Sequence, residues 1–165
     1  MREILFRGKR VDNGEWIEGF YCPCCFGWFP CRPAIVPKED MDNGHWHAEK
    51  VDPETVGQFT GLYDSTKWEQ LTEYERDEFV RKGGMPSEWK GKKIFEGDIV
   101  RITDDFGNTD FCDGGIGSIE FCNGFWYVGG QVHNGLYDLS NCYYVEVIGN
   151  IHDNPELLKG GDCSE

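Results

Sequence analysis

Thiols and imidazoles gathered over a short stretch can hold zinc, and this sequence gathers them between residues 22 and 47. Cys22-Pro23-Cys24-Cys25 sets two thiols, Cys22 and Cys25, at the spacing of a metal knuckle, and Cys31 and His45-Trp46-His47 follow. Tetrahedral zinc needs three or four such ligands converging on one point. On an extended strand His45 and His47 would share a face, but Cys31 lacks a second thiol at knuckle spacing. Reduced thiols can equally pack as small hydrophobes among Phe26, Trp28 and Phe29. We carry packing forward, keep Zn at Cys22, Cys25, Cys31, His45 and His47 as the alternative, and assign no metal ligand and no cofactor.

Other patterns carry less chemistry. Asp104-Asp105, Asn108, Asp110 and Asp113 are rich in oxygen, yet they miss the alternating register and terminal Glu of a calcium loop. Gly114-Gly115-Ile116-Gly117-Ser118 lacks the Gly-Lys-Ser/Thr ending of a phosphate loop. No Gly-x-Ser-x-Gly elbow or His-Glu-x-x-His pair occurs. His133 and His152 stand alone. Glu96 and Asp98 bracket Gly97, where a carboxylate commonly bonds nearby turn amides. No catalytic residue is assigned.

Thirty acidic against sixteen basic residues give a formal charge of −14. The distribution is uneven: residues 104–165 hold eleven acids and one base, Lys159, whereas 81–93 hold Arg81, Lys82, Lys90, Lys92 and Lys93 against Glu88 alone. Gripping a nucleic-acid backbone requires cations that displace condensed counterions, so no direct nucleic-acid binding is expected. An acidic face could attract a basic partner or act as a decoy of nucleic acid toward a host DNA-binding protein. No segment approaches the ~18 apolar residues of a membrane helix, and Ile4-Leu5-Phe6 is too short for a secretory signal. The eight cysteines are therefore expected to stay reduced, in a cytoplasm.

The elements are mostly strands. Asp12-Asn13-Gly14-Glu15 reads as the turn of a hairpin over 3–22, and a two-residue turn at Asn13-Gly14 would pair Val11 with Trp16 and Lys9 with Glu18, while setting Asp12 against Glu15. Ala34-Ile35-Val36 is a short strand among prolines. Asp52 caps one helical turn begun by Pro53. Residues 68–83 contain the one longer helix, with a Thr72/Glu75 capping box and a Gly83-Gly84 stop; its thin apolar face (Tyr74, Phe79, Val80) predicts a surface position. From Lys93 the pattern is β again. Asn123-Gly124 predicts a type I′ hairpin with Phe121 opposite Trp126, Ile119 opposite Val128 and Glu120 opposite Tyr127. Tyr143–Ile151 forms a last strand and Asn154–Leu158 a closing turn.

Three segments in order, Val51-Asp-Pro-Glu-Thr-Val-Gly-Gln-Phe-Thr-Gly-Leu62, Gly91-Lys-Lys-Ile-Phe-Glu-Gly-Asp-Ile-Val100 and Val147-Ile-Gly-Asn-Ile-His-Asp-Asn-Pro-Glu-Leu-Leu158, with the opening Met1-Arg-Glu-Ile-Leu-Phe-Arg7, resemble the YopX-like family of phage and prophage proteins. The resemblance brackets residues 1 to about 158 and implies a small, largely β protein, with no catalytic residues to carry over. The cysteine-rich 22–31 stretch and the 65–90 insertion depart from it.

These readings together predict a mainly β (α+β) chain. An N-terminal β lobe spans 1–62, an insertion with a surface helix 63–90, a small SH3-like β-barrel 91–158 and a tail 159–165. The function expected is non-enzymatic protein binding by a phage-encoded protein in the bacterial host cytoplasm, with Trp28, Trp46, Trp68 and Trp89 as candidate anchors. The partner would be a host or phage protein or a second copy of the chain, and no membrane is involved. A nucleic-acid decoy and a metal-dependent enzyme are the alternatives.

Overall fold

The computed structural model describes residues 4–23, 32–38, 40, 44, 47–111, 114–130 and 134–159. The chain divides into two compact units, Met1–Gly61 and Leu62–Glu165. It is mainly β, with two antiparallel sheets and two α-helices among the described residues.

In the first unit β1 (Phe6–Lys9), β2 (Trp16–Cys22), β3 (Ala34–Pro37), β4 (Glu49–Lys50) and the start of β5 (Gly57–Tyr63) lie side by side in the order β4-β3-β2-β1-β5. Ala34, Ile35 and Val36 are all buried, so β3 is covered on both faces, and with Leu5, Val51 and Phe59 it forms the core of this unit. Gly19 lies opposite Pro37, and a Cβ there would fall 2.0 Å from the Val36 carbonyl oxygen, a separation no side chain tolerates. The β1–β2 hairpin forms in a different register from the one Asn13-Gly14 suggests: Lys9 faces Trp16 and Arg7 faces Glu18. This two-residue displacement keeps every side chain on its face. It also separates Asp12 from Glu15, because Arg10 takes Asp12 in a forked ion pair (3.0 and 2.7 Å) while Asn13 accepts the Glu15 amide. The 3-10 turn Pro53–Thr55 is capped as expected, Asp52 accepting the Glu54 amide at 3.1 Å.

The second unit holds β6 (Lys93–Phe95), β7 (Asp98–Thr103), β8 (Ile116–Cys122), β9 (Phe125–Val128), β10 (Asn134–Gly135) and β11 (Tyr144–Asn150), with α1 (Glu73–Arg81) and α2 (Leu136–Cys142). Five of these strands form a sheet in the order β10-β9-β8-β7-β11. Its two ends do not meet, which corrects the expected SH3-like barrel. The segment that would close a barrel is instead the helix α2, and β10 is only two residues long. Leu136 and Leu139 of α2 fill the core together with Ile94, Val100, Ile102, Ile119, Val128 and Val145. Nothing in a Gly135 cap announces this helix by a capping side chain, which is why it reads as connection in the sequence.

The β8–β9 hairpin has the expected register, Ile119–Val128, Glu120–Tyr127 and Phe121–Trp126. Asn123 and Gly124 both adopt positive φ (52° and 87°), as a type I′ turn requires. Between β6 and β7 the chain reverses over Glu96-Gly97, with Gly97 at φ 79°.

One buried carboxylate ties three stretches of this unit together. Asp64 is 5% exposed. Its Oδ1 accepts the Lys92 amide (2.7 Å) and the Thr66 amide (3.0 Å), and its Oδ2 accepts the Thr66 hydroxyl (2.7 Å) and the Val147 amide (3.1 Å). The Asp64 amide donates to the Lys92 carbonyl, and Ser65 exchanges two hydrogen bonds with Val145 of β11. Gly91 passes at φ 112°, where a Cβ would stand 2.0 Å from the Asp64 carbonyl oxygen. Asp64→Ala strands buried donors at a cost of ~1–3 kcal/mol each. We expect a loss of at least about 3 kcal/mol in urea unfolding, with Asp64→Asn intermediate because it keeps one acceptor oxygen.

Candidate functional site

The predicted metal cluster is only partly within the described residues. Cys22, at the end of β2, is half-buried. His47 is exposed, with its Nε2 3.2 Å from a Glu49 carboxylate oxygen. Cys24, Cys25, Cys31 and His45 lie outside the described residues, as do Trp28 and Trp46.

The carboxylates that drew attention in the sequence are engaged in shaping turns. Asp98 is 1% exposed and its Oδ2 accepts the Phe95 amide at 2.7 Å across the Glu96-Gly97 reversal. Asp104 Oδ1 accepts the amides of Phe106 and Asn108 (2.9 and 2.8 Å), an Asx-type loop clasp. Gly115 leads into β8 and its carbonyl accepts the Ile102 amide, so the glycine run starts a strand rather than cradling an anion. His152 sits in a turn whose geometry is held by Asn150 Oδ1, which accepts the amides of His152 and Asp153 at 3.0 Å.

Trp68 and Trp89 are half-buried and packed edge-on against Phe79 and each other, with centroids 5.7, 6.0 and 5.1 Å apart. The Trp89 indole donates to the Thr66 carbonyl at 2.8 Å. These two tryptophans thus belong to a satellite core that seats α1. The Thr72/Glu75 capping box forms as expected, and Arg76 adds donors to the Trp68 and Glu69 carbonyls at 3.2 and 2.7 Å.

The β8–β9 hairpin also carries outward-facing apolar groups. The face of β8–β9 that is core at Ile119 and Val128 (1% and 0% exposed) continues outward to the Phe121–Trp126 pair, with ring centroids 4.8 Å apart and Phe121 56% exposed. On the opposite face Phe125 is 65% exposed and stands edge-on to Tyr127 at 6.4 Å. The only charged side chain in 116–128 is Glu120, whose carboxylate accepts the Ser118 hydroxyl at 2.8 Å. The sequence carried this signal in its aromatic Phe121, Phe125, Trp126 and Tyr127. Attention to tryptophans alone passed over it, because the register predicts pairing and says nothing about how far the ribbon extends beyond the core.

This aromatic hairpin, the β6–β7 reversal and the α2 helix all fall in the segment 87–159 that matches the family model described as YopX protein. Over that segment, which is less than half of the chain, the sequence is similar to the YopX proteins. A relative, the "SPbeta prophage-derived uncharacterized protein YopX" of Bacillus subtilis (strain 168), is 35% identical over 77 residues, 43% of this chain and 54% of the relative. The chain thus spans about half the length of that curated relative. Gly91–Val100 and Val147–Leu158 lie inside the matched segment, whereas Val51–Leu62 and the opening residues lie outside it.

Helix α1 is fixed by an ion pair with a readable pH signature. Lys92 Nζ lies 2.8 Å from Glu75 Oε1, and this contact, with help from the Thr72 amide and hydroxyl, holds the Glu75 carboxyl down to about 2 against the opposing effect of burial. A depressed carboxyl stabilises the fold above its unfolded pKa, and that contribution is lost as pH falls through the folded one. We expect α1 to loosen between pH 4.5 and about 2. Both groups are over a third exposed, so screening limits the effect to about 1 kcal/mol. The measurement is acid unfolding of Lys92→Gln beside the unaltered chain; the difference should vanish at the acid end.

Proposed function

We propose that this chain is a non-enzymatic protein-binding module, acting in the cytoplasm of a bacterial cell that carries the phage or prophage, and that the β8–β9 hairpin supplies its principal contact. The observation that carries this reading is the pair Phe121 and Phe125, 56% and 65% exposed at the end of a ribbon whose inner pair is wholly buried. Rigid exposed aromatics lose little conformational entropy on association, and each buried ring contributes ~1.5–3 kcal/mol. The hairpin holds a single carboxylate, Glu120, within a chain of charge −14, so a partner that approaches it displaces water from little charge. Support also comes from Asp64, Asp98 and Asp104, each of which has a carboxylate oxygen accepting a backbone amide.

The test is capture of partners from lysate of cells carrying the phage, comparing the unaltered chain with Phe121→Ser/Phe125→Ser. A hydrophobic contact should survive about 1 M salt, where the Debye length is ~3 Å. The double variant should weaken it by on the order of a hundredfold, with its thermal midpoint checked in parallel. Capture that disappears in high salt and ignores the double variant would instead mark the acidic surface as the attractant and overturn this assignment.

A further inference from the structure

Three of the five cations between residues 81 and 93 are neutralised by acids of α1. Lys82 and Arg81 reach Glu78 at 3.0 and 3.9 Å, and Lys92 reaches Glu75 at 2.8 Å. Lys90 is treated differently. Its Nζ lies 5.9 Å from the Tyr63 ring, and no ion pair is formed by it or by Lys67 among the described residues. Both lysines are exposed and, with Asp64, Ser65, Thr66, Trp68, Pro86 and Trp89, they line one open hollow of about 330 Å³. Two ammonium groups with no ion pair among the described residues, lining the same hollow as indole and prolyl surface in so acidic a chain, form a place to attract negative charge and hold something apolar.

The backbone around the hollow narrows the choice of ligand. The Ser65, Thr66 and Lys67 amides are spent on the Val145 carbonyl, Asp64 Oδ1 and Gln70 Oε1. No ring of free amides remains there to cradle a phosphate, the usual feature of nucleotide sites. Carboxylates, which a point-charge ammonium holds without a nest, fit better. The hollow is also open rather than enclosed, as suits a chain laid across it. We propose that this hollow, separate from the aromatic hairpin, binds an acidic peptide segment, with carboxylates on Lys67 and Lys90 and an apolar side chain between them against Trp68, Pro86 and Trp89.

The probe is a labelled ten-residue peptide alternating glutamate with leucine, followed by fluorescence polarisation and by tryptophan emission. Binding should be salt-sensitive, should fall about tenfold in Lys67→Gln/Lys90→Gln, and should be unchanged in Phe121→Ser/Phe125→Ser. A lysine–leucine peptide should not bind. The lysine variants leave α1 and its ion pairs intact, so an unchanged thermal midpoint confirms that they report on the ligand. Absence of binding, binding indifferent to the two lysines, loss of binding in the hairpin variant, or tighter binding of adenosine monophosphate than of the peptide would each overturn the proposal.

Discussion

A single carboxylate, Asp64, sets where the chain may go in the second unit. It accepts four hydrogen bonds from residues far apart in sequence, Thr66, Lys92 and Val147. Buried in this way, it would be costly if any of those donors moved off, because a charged acceptor without partners is expelled toward water. The clasp fixes the end of β5, the approach to β6 and the middle of β11 against one another. The demand it makes on the backbone is visible in Gly91, which has no room for a side chain beside the Asp64 carbonyl. The sheet β10-β9-β8-β7-β11 and its core are laid down around that fixed point.

Much of this architecture was legible where the information is local. Asn123-Gly124 dictates its turn by backbone sterics alone, and its register follows; the Thr72/Glu75 box and the Asp52-Pro53 start are similarly self-contained. Non-local demands were not legible. Asn13-Gly14 has the same chemistry as Asn123-Gly124, yet Arg10, which also reaches Glu49 at 3.2 Å, draws Asp12 back and displaces the pairing by two residues. The helix α2 was hidden because its helical spacing of Leu136 and Leu139 is short and its cap is a glycine, and the missing closure of the sheet follows from that same helix. The Asp64 clasp could not be foreseen at all: three of its four donors are backbone amides, which nearly every residue carries.

The candidate chemistry followed the same division. Carboxylates near glycines proved to be turn-forming groups, as local rules suggest. Of the four candidate tryptophans, the two within the described residues, Trp68 and Trp89, are packed, since a large ring finds a core when one is near, and Trp68, Phe79 and Trp89 supply one to each other. The outward aromatics are instead phenylalanines at the end of a strand pair that outruns its own core. Exposure there is set by strand length against core size, a geometric mismatch no residue type announces.

The paired hydrogen bonds between Asp64 and Lys92 have a consequence for how such a chain can vary. Because the excursion carrying α1 leaves and re-enters the fold at the same point, it behaves as a cassette whose ends are pinned. Its contents can lengthen, shrink or be exchanged for those of another lineage without transmitting strain to the strands outside it, since loop closure grows only slowly with length.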